Sequence, residues 1–411
     1  MRDVSWAELW RVFGRIGVLS FGGPAAQIAL MQSELVDRTK WLSEAQYLRA
    51  LSLCMLLPGP EAMQLATYAG WRLRGVLGGL LAGALFVVPG ALVIGVLAAV
   101  YLSYGDAPVV RAAFVGVKAA VIVIVVQALI RVARKALRGP VATALALFAF
   151  LALFALNLPY PAVILVAAAV GALTAAGAAT QAPPPARANT GRTVLTWTAL
   201  WAMPLVLAWA AGSGFLLEVG LFFSQLAIVT FGGAYAVLAY MTQTVVQDYG
   251  WIETGQMIDA LGLAETTPGP LILVTQFVAI LAGAAQGGAG LAVLAGLMAL
   301  WVTFIPCFLW IFVAGPFLDQ IAGRPRIDAA LQGITAAVVG VIASLSLWFA
   351  LHVLFPSAPL RPSIAALDVT ALGLVVLGAA LMLGLRRSLP ETLAILTAVA
   401  VVLWAAALNI V

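Results

Sequence analysis

Ser20-Phe21-Gly22-Gly23-Pro24 opens a block of sequence that returns 210 residues later as Thr230-Phe231-Gly232-Gly233-Ala234. The same shift turns Pro58-Gly59-Pro60 into Pro268-Gly269-Pro270, with no gap between the two motifs. Of the 48 positions from 13 to 60, 16 are identical to their partners at 223 to 270. The chain is therefore predicted to be a duplicated unit, and each copy carries two Gly/Pro breaks inside apolar sequence.

The composition places the chain in a membrane. Hydrophobic residues make up 64% of the sequence and charged residues 9%, and the mean hydropathy is +1.10. A soluble globular domain carries about 25% charged residues. Apolar runs recur that are long enough to cross a bilayer core of about 30 Å as helices. We predict an all-α polytopic membrane protein. Nucleic-acid binding is not expected, because the basic residues are spread over short loops.

The positions of the charges predict the topology. Cytoplasmic loops are enriched in Lys and Arg, so the basic first segment predicts a cytoplasmic N-terminus. Arg38 and Arg49 stay on that side only if each broken segment is a re-entrant hairpin. In the second copy these two positions are Asp248 and Asp259. The pattern predicts two inverted-topology repeats with re-entrant or broken helix hairpins, a plan typical of secondary transporters, and a C-terminus outside.

Three regions follow from this plan. Residues 1–178 are predicted to form the N-terminal repeat and residues 216–411 the C-terminal inverted repeat. Residues 179–215 contain a proline-rich linker and one connecting transmembrane helix. The count is nine full spans and four re-entrant hairpins. The odd connecting span delivers the second copy to the opposite face of the membrane.

The four breaks are the predicted binding site. Within a bilayer, non-helical backbone is tolerated only where it is buried in protein or lines a wet cavity, so we expect the breaks to face one another. Helix N-termini near Pro24, Pro60, Ala234 and Pro270 would then offer unpaired N–H groups and partial positive charge to an anion. The alternative is that the breaks only bend helices. The candidate substrate-binding residues at or near them are Ser20, Gly22, Gly23, Gly59, Gln64, Thr230, Gly232, Gly233, Thr267 and Gly269.

Ionisable residues at membrane depth are the second signal, because charge is costly there and is usually functional. We hypothesise that Lys118 and Arg15 neutralise substrate charge, and that Glu61 or Glu265 carries a coupling proton. The alternative for each residue is a salt bridge that only holds helices together.

An enzyme embedded in the membrane is the hypothesis from another functional class. It finds no support, because neither a His-Glu-x-x-His nor a Gly-x-Ser-x-Gly motif is present, and His352 is the single histidine. Cys54 and Cys307 lie far apart in apolar sequence and give no metal or redox signature. We expect no catalytic residue, no cofactor and no metal site.

Longer stretches of the two copies resemble a known family. These are Phe21-Gly22-Gly23-Pro24-Ala25-Ala26, Trp41-Leu42, the run from Leu57 to Ala66, and Val88-Pro89-Gly90, with Phe231-Gly232-Gly233 and Thr267-Pro268-Gly269-Pro270 in the second copy. They are similar to motifs of the bacterial chromate ion transporter family in its long, two-domain form. The resemblance implies export of chromate across the bacterial inner membrane, with sulfate as an analogue and the membrane potential or protons as driving force.

Our interpretation is an oxyanion exporter that works by alternating access. A dianion that leaves a negative interior gains about 4.6 kcal/mol per 100 mV, since one charge is worth about 2.3 kcal/mol. A proton-coupled importer of a sulfate-like anion and an anion channel remain open as alternatives. The expected partners are a chromate or sulfate-like anion, protons and the lipid bilayer, and assembly as a homodimer is left open.

Overall fold

The computed structural model describes residues 4–174, 190–231, 234–318, 325–357, 359 and 362–408. These described residues form helices joined by short loops and contain no strand. The helices of the first half are α1 (Trp6–Leu19), α2 (Gly23–Gln32), α3 (Glu44–Leu56), α4 (Glu61–Tyr104), α5 (Pro108–Ala136), α6 (Pro140–Phe154) and α7 (Tyr160–Leu173). The helices that follow are α8 (Thr190–Ala210), α9 (Gly214–Val229), α10 (Ala234–Gln243), α11 (Thr254–Thr266), α12 (Val274–Ala314), α13 (Pro325–Leu354), α14 (Val369–Ala379) and α15 (Leu389–Leu408).

The duplication seen in the sequence is also present in the order of the helices. In both copies a short helix is followed by a break, a second short helix that ends in a π-helical turn, a third helix, a second break and a long helix. The π-helical turns are Ser33–Arg38 and Thr244–Asp248, and a 3-10 turn at Leu271–Leu273 precedes α12. The orientation of the two copies in the membrane stays a prediction.

Both long helices turn back on themselves. The backbone of α4 leaves the helical region at Arg74–Gly75, where Gly75 has a φ of 64°, and that of α12 does so at Gly287–Gly288. A positive φ is accessible to glycine without a steric penalty. The two arms of α4 then pack backbone to backbone, because a Cβ on Gly70 or Gly78 would collide with the carbonyl oxygen of the other.

Several helices begin where the sequence provides a capping residue. Ser5 and Ser43 each form a capping box with the side chain three residues later, Glu8 and Gln46 respectively. Asp368 accepts a hydrogen bond from the N–H of Ala371 at 2.9 Å. These side chains satisfy N–H groups that have no partner within the helix.

Length and composition make this a multi-pass membrane protein, as the sequence predicted. Six helical stretches among the described residues are long and apolar enough to cross a bilayer: Glu61–Tyr104, Pro108–Ala136, Thr190–Ala210, Leu271–Phe317, Pro325–Leu354 and Leu389–Ala407. Four shorter apolar helices accompany them. Large apolar side chains such as Leu92, Leu165 and Leu195 point outward on these helices, as expected for surfaces that face lipid.

The chain divides into two compact units, and each contains parts of both copies. The first unit comprises Met1–Val96, Ala168–Val237 and Thr267–Leu331, and the second comprises Leu97–Ala167, Leu238–Thr266 and Gln332–Val411. The boundaries 1–178, 179–215 and 216–411 stay a prediction of domain organisation.

Small residues allow close helix packing within each unit. In the first unit, Gly220 on α9 lies against Met298 on α12, where a Cβ would come within 3.0 Å of the sulfur. In the second unit, Gly116 on α5 lies against the backbone of Leu396 on α15. The core of the second unit continues along α5 with Ala119, Ala120, Val123 and Ile124.

Candidate functional site

Residues at or beside the four Gly/Pro breaks line one small cavity inside the first unit. Its walls come from the start of α2, the start of α4, the start of α10, the segment that leads into α12, and the end of α9. The lining residues are Pro24, Gln27, Pro60, Glu61, Ala62, Thr230, Ala234, Pro270, Leu271 and Ile272. The structure thus brings together Pro24, Pro60, Ala234 and Pro270. These residues mark the helix N-termini that are predicted from the sequence to face one another. We refer to this space as the tip cavity.

Two backbone hydrogen bonds tie each copy to the other across the breaks. The N–H of Gly59 donates to the carbonyl oxygen of Thr230 at 2.8 Å, and the N–H of Gly269 donates to that of Ser20 at 2.9 Å. The 210-residue shift relates Ser20 to Thr230 and Gly59 to Gly269, so the two bonds are equivalent. These two glycine amides are therefore committed to the fold, and donors for a ligand must come from the helix turns that follow.

Backbone conformation favours glycine at the described break positions, and space also requires it at Gly59. Gly22, Gly59 and Gly269 have φ values of 82°, 116° and 88°. A Cβ on Gly59 would lie 2.9 Å from both the Sγ of Cys307 and the Nε2 of Gln64. Gly23, with a φ of 76°, has open space around it.

Gln27 joins two of the breaks through its side-chain amide. Its Nε2 donates to the carbonyl oxygens of Ser20 at 3.2 Å and Gly269 at 2.6 Å. The residue is 1% exposed, and its Oε1 has no hydrogen-bond partner among the described residues. Carbonyl oxygens repel an anion. A side-chain amide that donates hydrogen bonds to them offsets part of this repulsion and makes the site more favourable for negative charge. Gln27 was not among the residues predicted from the sequence.

Gln64 acts in the same way within the first copy. Its Nε2 donates to the carbonyl oxygen of Pro58 at 2.6 Å, and its Oε1 has no partner among the described residues. Both glutamines therefore hold carbonyl groups of the breaks. Gln64 does not line the tip cavity, so its predicted contact with substrate stays a prediction.

The hydroxyl groups at the breaks bond to their own helices. Ser20 donates to the carbonyl oxygen of Ile16, and Thr230 donates to that of Leu226 at 2.6 Å. Each hydroxyl therefore caps the last turn of a helix that ends at a break. Thr267 is buried in the same unit. Gly232 and Gly233, which the sequence also predicted as binding residues, lie outside the described residues.

The electrostatics of the tip cavity come mainly from the backbone. Each helix N-terminus contributes roughly half a positive charge, together with first-turn N–H groups that have no partner within the helix. The lining residues include no Lys or Arg, and Glu61 is the one lining residue with an ionisable side chain. No ion pair joins Glu61 to another described residue. The arrangement can hold an anion by amide donors, with Glu61 opposing its charge.

The tip cavity is small in this structure. The volume open to the centre of a water molecule is about 10 Å³, which is room for about one water. A tetrahedral oxyanion carries four oxygen atoms around its central atom, so it would need the four breaks to move apart.

Arg15 and Lys118 pair with carboxylates and are not among the residues that line the tip cavity. The Nε of Arg15 lies 3.5 Å from Glu34, which also binds Arg38 at 3.0 Å. Lys118 lies in the second unit, with its Nζ 3.5 Å from Asp259. Glu265 is buried in that unit as well. The predicted roles of Arg15 and Lys118 toward substrate, and of Glu61 and Glu265 toward protons, stay predictions.

Comparison with known proteins identifies the family. A family model described as "Chromate transporter" matches residues 7–172 and 217–408, which are the two copies. The chain belongs to the chromate transporter family.

This member of the chromate transporter family is similar to curated transport proteins over most of its length. It is 32% identical over 398 residues to the "Probable chromate transport protein" of Synechococcus elongatus, which covers 96% of this chain and 94% of that protein. It is 31% identical over 355 residues to the "Chromate transport protein" of Pseudomonas aeruginosa, with coverage of 84% and 81%. No solved structure matches the chain. The resemblance stated from the paired motifs is therefore confirmed, including the long, two-domain form.

Proposed function

We propose that this member of the chromate transporter family exports chromate, and sulfate as a close analogue, by alternating access around the tip cavity. The observation that supports this proposal is the meeting of four helix starts, two from each copy, at one buried cavity. Duplicated transporters commonly place their substrate between broken helices contributed by both repeats. The similarity to curated chromate transport proteins supports the choice of anion.

The proposed binding mode uses backbone amides as the main donors. The first turns of α2, α4 and α10, together with the turn that enters α12, direct N–H groups toward the cavity. Pro24, Pro60 and Pro270 stand where the helical backbone begins, and a proline there loses no donor that the helix needs. A compact oxyanion can accept hydrogen bonds from several directions at once, which suits donors arranged around a small space.

The small size of the cavity and the bonds between copies support alternating access. The Gly59–Thr230 and Gly269–Ser20 hydrogen bonds close the breaks against each other at 2.8 and 2.9 Å. We propose that opening toward one side loosens one of these equivalent bonds and opening toward the other side loosens its partner. Such an exchange provides two states of similar energy, as a reversible carrier requires.

Export is the direction that the membrane potential favours. A dianion gains about 4.6 kcal/mol per 100 mV when it leaves a negative interior, since one charge is worth about 2.3 kcal/mol. Uptake of the same dianion would need more than two accompanying cations to be electrically favourable. The electrical term therefore supports efflux from the bacterial cytoplasm, with the N-terminus on the inner side.

Flux measurements in proteoliposomes test this function. Purified protein is reconstituted, a potassium diffusion potential is imposed with valinomycin, and radiolabelled chromate and sulfate are followed separately. We expect both anions to move away from the negative side, at saturable rates typical of a carrier. Proton-driven uptake against the voltage would identify the importer, and flux that does not saturate would identify a channel.

A matched pair of glycine variants connects the flux to the tip cavity. Gly59→Val places a side chain at a positive φ and against Cys307, so we expect anion flux to be lost. Gly139→Val strains a glycine with a φ of 94° that precedes α6 and has open space around it. It controls for backbone strain alone and is expected to keep flux. Equal flux in both variants would contradict the proposed site.

A further inference from the structure

A buried carboxylate with two partners lies in the second unit. Asp259 on α11 is 4% exposed. Its Oδ2 accepts a hydrogen bond from the hydroxyl of Tyr101 at 2.9 Å, and its Oδ1 lies 3.5 Å from the Nζ of Lys118. That Oδ1 accepts no hydrogen bond from the described residues. The carboxylate therefore has one strong partner and one loosely held cation.

The sequence of α11 makes room for this cluster. Gly255, Asp259 and Gly262 recur at helical spacing on the side of α11 that faces α5. A Cβ on Gly255 would lie 3.3 Å from the Nζ of Lys118, and one on Gly262 would collide with Val117. The corresponding position of the first copy is Arg49, which is exposed. The buried acid is thus a property of the second copy alone.

The cluster costs stability, which suggests a functional reason for it. Removing an Asp and a Lys from water is expensive, and a buried ion pair is often no more stable than apolar side chains of the same volume. Lys118 belongs to a membrane-spanning helix, where ionisable residues usually mark ion or proton pathways. The side chain of Lys118 keeps 29% of its surface exposed, whereas that of Asp259 keeps 6%.

We propose that Asp259, held between Tyr101 and Lys118, is the carboxyl group that takes up and releases a proton during the transport cycle. The proposal rests on the transport function proposed above. The unprotonated cluster has no net charge, because the carboxylate balances the ammonium group. A proton from water converts the carboxylate to the neutral acid and leaves the positive charge of Lys118 uncompensated. The second unit thus changes its charge by one with each proton that it exchanges.

The surrounding charges leave Asp259 as the group that can switch. Tyr101 and Lys118 are the ionisable groups in contact with it. Asp106 and Glu253 lie close enough to act electrostatically on the Tyr101 hydroxyl, but Asp106 is already paired with Arg111 at 2.6 Å. Glu61, by contrast, has no ion pair with a described residue whose release a proton could control.

A flux experiment under a pH gradient tests this role. Proteoliposomes with the voltage clamped at zero carry wild-type protein, Asp259→Asn, Glu61→Gln or Asp248→Asn, and radiolabelled sulfate reports the accumulation ratio because sulfate stays a dianion. Wild type and Asp248→Asn, which removes an exposed acid, should change that ratio by about tenfold per pH unit for each coupled proton. Asp259→Asn should retain voltage-driven flux and lose the response to pH.

Two results would overturn the proposal and leave export itself standing. One is a sulfate accumulation ratio that still changes with the pH gradient in Asp259→Asn, above all if the ratio no longer changes in Glu61→Gln. The other is wild-type flux that responds to voltage but not to the pH gradient. Absence of oxyanion flux in wild type would instead contradict the proposed function.

An infrared titration of purified protein decides the role of Asp259 if the variant transports nothing. A carbonyl band of a protonated carboxylic acid should appear as the pH falls from mildly alkaline to mildly acidic. It should be absent from Asp259→Asn and shifted in Tyr101→Phe, which removes the hydroxyl donor. A wild-type band that persists unchanged in Asp259→Asn would show that the proton resides elsewhere.

Discussion

The two copies contribute the same backbone and different side chains to the tip cavity. Gly59 and Gly269 make equivalent hydrogen bonds to the opposite copy. Three polar residues near them occur in the first copy only: Gln27, Glu61 and Gln64 correspond to Val237, Leu271 and Val274 in the second. The duplication thus preserves the two backbone hydrogen bonds, while the amide and carboxyl side chains at these three positions come from the first copy.

The same asymmetry extends to the residues that pack against the break glycines. Gly90 of α4 and Cys307 of α12 are the neighbours concerned. A Cβ on Gly269 would lie 3.5 Å from the Cα of Gly90. A Cβ on Gly59 would lie 2.9 Å from the sulfur of Cys307. Gly59 therefore has the bulkier neighbour of the two. We therefore predict that the protein tolerates substitution of Gly59 less well than substitution of Gly269.

The largest effect is expected at Gly59. Gly59→Ala combines a strained φ, worth about 1–2 kcal/mol, with a contact that overfills the site by about 1–3 kcal/mol. Gly269→Ala carries the strain with a milder contact, so it should lower the free energy of unfolding less. Thermal unfolding in detergent compares the stability of the two variants, and sulfate flux compares their transport. Adding Cys307→Gly, which removes the sulfur beside Gly59, should restore part of the loss in Gly59→Ala and none in Gly269→Ala.

The next effect concerns the amide of Gln27. Gln27→Met keeps the length of the side chain but leaves the carbonyl oxygen of Gly269 without its side-chain donor. A buried acceptor without a partner lowers the free energy of unfolding by about 1–3 kcal/mol. Val237→Met is the matched change in the second copy, where no hydrogen bond is lost. We expect weaker sulfate binding in Gln27→Met by isothermal titration and near-normal binding in Val237→Met. Equal affinities for the two variants would remove Gln27 from the site.

A smaller effect with the opposite sign is expected at Glu61. A carboxylate in the tip cavity opposes a dianion, so Glu61→Gln should tighten sulfate binding by about tenfold, or about 1.4 kcal/mol, at alkaline pH. The gain should shrink as the pH falls and wild-type Glu61 becomes protonated. Leu271→Gln adds an amide at the matching position without changing charge. Weaker binding in Glu61→Gln would mean that the carboxylate contacts the ligand through a hydrogen bond.

The smallest effect is expected from the hydroxyls at the two breaks. Ser20→Ala and Thr230→Val remove hydroxyls that bond to their own helices, so each should cost about 1 kcal/mol of stability or less. Sulfate affinity should stay near that of wild type in both variants. A strong loss of affinity in either would instead support the sequence-based prediction that these hydroxyls contact the substrate.

The sequence predicted the architecture because the duplication left two independent copies of each break. The paired Gly/Pro motifs located the breaks between the helices, and the apolar composition predicted the helical membrane-protein class. Gly75 and Gly288 end the first arms of α4 and α12. Such features are local, since a positive φ or an apolar run depends on a few adjacent residues.

The contacts between side chains could not be predicted in this way. Lys118 was expected to meet the substrate, yet its position beside Asp259 depends on how α5 and α11 pack. A comparison of the copies did indicate an unusual acid at this position, because Asp259 stands where the first copy has Arg49. In the sequence, however, the same change also fits an inverted orientation of the second copy. Gln27 against Val237 offered a similar hint. Which backbone carbonyl an amide reaches is set by tertiary structure alone.

The central claim is that main-chain amides from both copies hold the anion in the tip cavity. Solid-state NMR of protein labelled with ¹⁵N at alanine and isoleucine, embedded in lipid and titrated with sulfate, tests it most directly. We predict saturable shifts of the amide signals of Ala62, from the first copy, and Ile272, from the second, and none at Ala142 in the first turn of α6. Shifts confined to one copy, or absent from both amides while sulfate binds, would contradict the account.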